Sequence, residues 1–170
     1  MRVLAIDPSL RSTGFAVLER TGAAGAKPRV LEYGTIKNPE RLRPSECLVA
    51  IHERLSAVIE CHAPTCVAVE SVIYVQSYRT AITLGAARGA ALLAAAQRGL
   101  EVFEYPPTRV KQAVVGRGSA KKDQVGFMVR ALLELTETPG PDAADAMAIG
   151  LTHLQNFDAS SRGVGALQRI

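Results

Sequence analysis

Two short apolar runs, each ending on an acid, constrain this chain most: "RVLAID" from Arg2 to Asp7 and "TCVAVE" from Thr65 to Glu70. Runs this short and dense read as strands buried on both faces, the pattern of a sheet covered by helices on either side. A carboxylate at the end of such a strand needs a partner or a role. If the two strands are neighbours, Asp7 and Glu70 open onto one edge of the sheet. Ligands of such sheets sit at the carboxyl ends of the strands.

The rest of the chain supplies the other layers. "GFAVLER" follows the first strand closely enough to form a hairpin, "AGAKP" is a second turn, and "RVLEYGTIK" is a third strand. Leu48, Ile51, Leu55, Val58 and Ile59 recur at helical spacing between Pro44 and His62. A long helix is predicted from Ser77 to Arg98 with Gly99 as its stop, then a fifth strand in "LEVFEY". Shorter helices follow over Arg109–Val114 and Asp123–Leu135, and a last one over Asp142–Asn156. This order predicts an α/β fold, a mixed five-stranded sheet flanked by helices on both faces. At 170 residues one domain is expected, folded over 1–157, with 158–170 as a flexible C-terminal tail.

Composition narrows the setting. The chain is 48% hydrophobic but has no Trp, so Val, Leu, Ile and Ala must build the core. Its most apolar stretch, "AITLGAARGAALLAAAQRGL", is broken by Arg88 and Arg98 and reads as a helix of a soluble protein, with no membrane partner. Cys47, Cys61 and Cys66 lack C-x-x-C spacing and read as buried reduced thiols. No signal peptide is expected before the first strand. A cytoplasmic protein is the expectation.

A second pair of acids completes a candidate site. Asp142 and Asp145 lie three apart in "GPDAADAMAIG", on one face of a helix whose first position suits Pro141. Three of the acids have an ordinary reading when taken alone, Asp7-Pro8 as a turn and Asp142 and Asp145 as acids favoured by a helix N-terminus, whereas Glu70 at a buried strand's end is harder to dismiss. Together the four form a set of hard oxygen donors without Cys or His, which suits Mg²⁺ or Mn²⁺ and not zinc. Two such ions would clamp a phosphodiester. His153 lies eleven residues after Asp142, about 16 Å along a helix axis, too far to share an ion with it, and is expected as a packed or surface histidine. His52 and His62 have no evident partner.

Five motifs, "AIDPSLRSTGFAV", "AVESV", "LGAARGA", "VFEYPPTRVKQAVVGRGSAKKDQV" and "PDAADAMAIGLTH", occur in the order and spacing of the RuvC family of bacterial Holliday junction resolvases. The resemblance runs to about Asn156. It implies an RNase H-like fold and a bacterial homodimer that cuts two opposed strands of a four-way DNA junction with Mg²⁺ or Mn²⁺, about two ions per subunit by the two-metal logic. It also implies work with a RuvA–RuvB branch-migration complex. The family's catalytic acids fall on Asp7, Glu70, Asp142 and Asp145. Its lysines for DNA contact and catalysis fall on Lys111 and Lys122. Ser9 stands where the family has Gly, and Ile73, followed by Tyr74, stands where the family has an aromatic residue used against bases at the crossover.

Arg109, Lys111, Arg117, Lys121 and Lys122 cluster around Gly116 and Gly118, and Arg79 lies near the start of the long helix. They read either as a solvated face or as a phosphate-neutralising patch. The net charge of +4 leans toward a polyanionic partner. The small residues between Gly85 and Ala96 read as close packing on the sheet and, by the resemblance, as dimer contacts on another face. Three other readings compete with junction cleavage. One is an RNase H-like nuclease of ribosomal RNA processing. Another is an actin-like kinase, which 170 residues disfavour. The third is a catalytically silent DNA-binding module, which the intact set of four acids disfavours.

Overall fold

The computed structural model describes residues 1–22, 25–72, 77–161 and 168–170. Five strands form one mixed sheet in the order β3-β2-β1-β4-β5: β1 (Arg2–Asp7), β2 (Ser12–Glu19), β3 (Arg29–Lys37), β4 (Cys66–Glu70) and β5 (Glu101–Tyr105). The first three are antiparallel neighbours, whereas β4 runs parallel to β1 and β5 parallel to β4. The helices are α1 (Pro44–His62), α2 (Tyr78–Ala96), α3 (Pro107–Val115), α4 (Lys122–Leu132) and α5 (Pro141–Ser161). Thus β1, expected to be buried on both faces, is the middle strand of the sheet.

Alternation along the strands divides the core in two. Val3, Ala5, Ala16, Leu18, Cys66, Ala68, Phe103 and Tyr105 pack on one face with α3, α4 and α5. Leu4, Ile6, Phe15, Val17, Val67, Val69 and Val102 pack on the other with α1 and α2. By the same period of two, Asp7, Ser12, Gly14 and Glu70 belong to the α5 face, and Glu104 belongs to the α2 face. Two glycines let α5 lie close against the sheet. A Cβ on Gly150 would stand 2.7 Å from Leu18 Cδ1, and one on Gly14 would stand 2.0 Å from the Asp142 carbonyl oxygen.

Several expectations need correction. The helix predicted to Leu135 ends at Leu132, because Glu134 takes a left-handed φ of 54°. The last helix continues past Asn156 to Ser161. Asp158, placed in the flexible tail by the sequence, lies on this helix, is buried and pairs with Arg20 at 2.6 Å. Gln168 and Ile170 bond to the free edge of β5: the Glu104 N–H donates to the Gln168 carbonyl at 2.9 Å, and the Ile170 N–H to the Val102 carbonyl at 3.1 Å. The division at residue 157 therefore falls inside α5. Cys47 and Cys66 are buried free thiols, but Cys61 is exposed. His52 and His62 do have partners, Gln97 at 2.8 Å and Glu32 at 2.6 Å.

Candidate functional site

The β1–β4 ladder pairs Ile6 with Val69, so Asp7 and Glu70 stand side by side at the next level, on the face that α5 covers. α5 begins at Pro141 and brings Asp142 and Asp145 to that same edge. The fold fixes this start. The bare backbone of Gly14, opposite Asp7 in the β1–β2 ladder, admits the Asp142 carbonyl, and the Ser12 hydroxyl donates to Asp142 Oδ2. Lys122, the first residue of α4, donates to Asp145 Oδ2 at 3.1 Å.

Ser9 does not disturb the loop after β1. Among described non-glycine residues only Ala63 and Glu134 have positive φ, so this position makes no demand that only glycine meets. Thr13 closes the turn instead: its hydroxyl donates to the Ser9 carbonyl at 2.5 Å and accepts from the Ser9 N–H at 3.2 Å.

The electrostatics bind the four acids into one cluster. Burial, reinforced by Asp145, Glu70 and Asp142 and opposed by Lys122, pushes the Asp7 carboxyl up to about 7. Burial and then Asp145 raise the Glu70 carboxyl, against Lys122 and Lys111. The hydrogen bond to Asp145, then its charge, raises Lys122. Four carboxylates thus share one bonded ammonium, and the site is short of positive charge. A hard divalent cation fits that deficit and that donor set. Among the described residues no three His, Cys, Asp or Glu side chains converge on one point as they stand. The contact with Ser12 engages one oxygen of Asp142, and the contact with Lys122 one oxygen of Asp145.

Beside the acids lies a cleft of about 280 Å³, lined by Asp7, Pro8, Glu70, Leu84 and Arg88 among others. It adjoins, at Leu84, an open groove of about 490 Å³ that Arg79, Thr80, Thr83, Ser9 and Arg11 line. Of the basic residues, Lys111 and Lys122 lie within electrostatic reach of Glu70. Arg117 and Lys121 are exposed on the connection between α3 and α4. Arg79 is exposed on the groove. Arg109 is not part of this group: its guanidinium donates to Asn156, fourteen residues beyond Asp142 and about 21 Å further along α5. Ile73 and Tyr74 lie outside the described residues. His153 is fully buried; its Nδ1 meets the Tyr105 hydroxyl at 2.8 Å and its Nε2 meets Cys66 Sγ at 3.3 Å.

Three residues at the site escape a reading for motifs. Ser12 shares strand parity with Gly14, which is the signal that it faces α5. Arg88 is the one charge in the Ala- and Gly-rich part of α2 beyond Arg79, and Glu104 faces it from β5.

Comparisons with known proteins agree with this geometry. The family model described as crossover junction endodeoxyribonuclease RuvC matches residues 3–153. The crossover junction endodeoxyribonuclease RuvC of Akkermansia muciniphila is 55% identical over 158 residues, 93% of each chain. That of Pelotomaculum thermopropionicum is 42% identical over 92% of this chain and 94% of its own. The solved structure of T. thermophilus RuvC in complex with Holliday junction substrate superposes with a TM-score of 0.89 at 35% identity, covering 100% of this chain and 99% of the other. The sheet order, the acids at its edge and this likeness in both sequence and structure lead to one conclusion: the chain belongs to the RuvC family of crossover junction endodeoxyribonucleases and has its RNase H-like fold.

Proposed function

We propose that this chain resolves four-way DNA junctions by hydrolysing phosphodiesters on two opposed strands, with Asp7, Glu70, Asp142 and Asp145 as the ligands of Mg²⁺ or Mn²⁺, two ions per subunit. The observation that carries it is the gathering of four acids from β1, β4 and α5 at one sheet edge with a single bonded ammonium. When bound, such ions polarise the scissile phosphate and lower the pKa of the attacking water. The chain's own residues do the rest. Asp7 and Glu70 hold their carboxylates at fixed strand ends. Ser12 and Gly14 set the height of Asp142. Lys122 keeps its charge beside Asp145 until substrate arrives, then turns to a phosphate oxygen as DNA contact and catalytic group. Lys111, Arg117, Lys121 and Arg79 neutralise the flanking backbone, and the segment holding Ile73 and Tyr74 meets the bases at the crossover. Arg109 serves the path only at its far end.

Two opposed cuts need two sites, which a two-fold dimer supplies. Exposed Val49 and Leu93 edge an open groove of about 440 Å³ between α1 and α2, where Ala86 and Gly89 leave room for a second copy. Among the described residues no helix is long and apolar enough to cross a membrane. The chain works on DNA in the bacterial cytoplasm, alongside a RuvA–RuvB branch-migration complex. The test is incubation with a synthetic four-way junction and a linear duplex, with and without Mg²⁺ or Mn²⁺. Paired, metal-dependent cuts in the junction alone are expected. Binding without cutting under every condition would support a silent DNA-binding module, and cutting confined to an RNA–DNA hybrid would support an RNA-processing nuclease.

A further inference from the structure

Of the four acids, Glu70 has the least evident support. Among the described residues its carboxylate takes no hydrogen bond, and β4 is only five residues long. The β1–β4 ladder stops at Ile6 and Val69. Beyond Asp7 the neighbouring strand continues with Pro8, which has no N–H to offer. The Glu70 carbonyl finds its donor elsewhere: Arg88 Nη1 reaches it from α2 at 2.8 Å. The other terminal nitrogen, Nη2, donates to Glu104 Oε1 on β5. Both partners of that ion pair are shielded, with side chains 14% and 16% exposed, so solvent screens it little.

The pair therefore links three elements at the catalytic edge: α2, the end of β4 and β5. It does so from the side of the sheet opposite α5, and it grips backbone, so both Glu70 oxygens stay available to a ligand. A guanidinium can serve two acceptors at once with fixed geometry, whereas an ammonium at the same place is a point charge on a flexible stem. We infer that Arg88, held by Glu104, is a positioning residue that sets the Glu70 carboxylate for metal binding. This rests on the reading of Glu70 as a metal ligand. Groups that orient a ligand commonly govern metal affinity by about 10–100-fold without touching the ion.

The experiment is calorimetric titration of Mn²⁺ into the full-length protein without DNA, beside junction affinity measured in Ca²⁺ and cleavage rates across Mn²⁺ concentrations. Arg88→Lys should raise the half-saturating Mn²⁺ at least ~10-fold, leave junction affinity within about 2-fold, since no phosphate contact is lost, and recover cleavage at high Mn²⁺. Glu104→Gln keeps the bond to Glu70 and loses the ion pair, so it should move the same midpoint in the same direction by at least ~3-fold. An unchanged midpoint in both variants overturns the inference. So does an Arg88→Lys defect in junction binding with a normal midpoint, which would make Arg88 a DNA contact. If Arg88→Lys does not fold, Glu104→Gln decides alone. Glu70→Gln separates the two levels. Normal Mn²⁺ binding by Glu70→Gln would sink the metal reading itself, whereas impaired binding by Glu70→Gln with normal binding by Arg88→Lys and Glu104→Gln would sink only the brace.

Discussion

The strand-borne and helix-borne acids are held in different ways. Asp7 and Glu70 end adjacent strands, have no side-chain hydrogen bond among the described residues, and are both raised by burial and then by the charge of Asp145, Asp7 also by Glu70. Asp142 and Asp145 ride on α5, and each has a side-chain partner, Ser12 and Lys122. The strand half is placed by the sheet ladder and keeps its oxygens open at an electrostatic cost. The helix half is placed by docking, and one oxygen of each acid is engaged, by Ser12 or by Lys122. A site built so is unfavourable when empty on one side and latched on the other.

The largest expected effect tests whether the halves act as one. Asp7→Asn, Glu70→Gln, Asp142→Asn and Asp145→Asn should each fold, bind the junction and lose at least ~10³-fold in cleavage, about 4 kcal/mol of barrier, and paired substitutions should not add. In metal-free buffer the two halves should part. Asp7→Asn and Glu70→Gln remove a crowded buried charge and should raise stability by about 1–2 kcal/mol. The helix pair should not, because each loses its partner as well. Thermal melts that move all four alike would erase the distinction.

Gly14→Ala attacks only the helix half. Its Cβ would collide with the Asp142 carbonyl, so α5 must move off β2. A displacement near 1 Å should cost about 10²-fold in cleavage, together with about 1–3 kcal/mol of stability. Normal cutting by Gly14→Ala would mean that the start of α5 is set by something else.

His153 reports on α5 away from the acids. Burial, with a smaller push from Arg20, lowers its imidazole to about 4. The unfolded chain therefore takes up this proton first as pH falls. The stability that the neutral histidine contributes is complete above about 6.5 and should fall by roughly 3 kcal/mol as pH drops to about 4. Subtracting the pH–stability profile of His153→Phe from that of the intact protein should expose this slope. Parallel profiles would contradict it.

The smallest effects sort the basic residues. Lys111→Ala and Lys122→Ala should each reduce the salt slope of junction binding by about 0.9 on a log–log plot, and Arg109→Ala should change it less. Equal slopes for all three would return the lysines to a solvated face. Glu137→Gln, an exposed acid before α5, should change nothing.

The sequence made the strand half legible, because an apolar run that stops on an acid shows both the strand and the odd residue at its end. It showed the helix half through Pro141 and the three-residue spacing of the acids. Their meeting depended on long-range choices that no local pattern carries. Gly14 reads as one more residue of the second strand until α5 is laid across it, and Arg88 interrupts an alanine helix without naming its partner. The tail was misread for the same reason: Asp158 is anchored by Arg20, 138 residues away, and Gln168–Ile170 by the open edge of β5. Arg109 joined the basic cluster by sequence proximity, but the turn of α3 points it toward Asn156.

One measurement tests most directly whether strand ends and helix start form a single metal site. Mn²⁺ is titrated calorimetrically into the DNA-free protein and into Asp7→Asn and Asp142→Asn. Saturable binding that both substitutions abolish or weaken at least ~10-fold is predicted, since each removes a ligand of the same ions. Asp142→Asn that binds Mn²⁺ as the intact protein does, while Asp7→Asn does not, would contradict it.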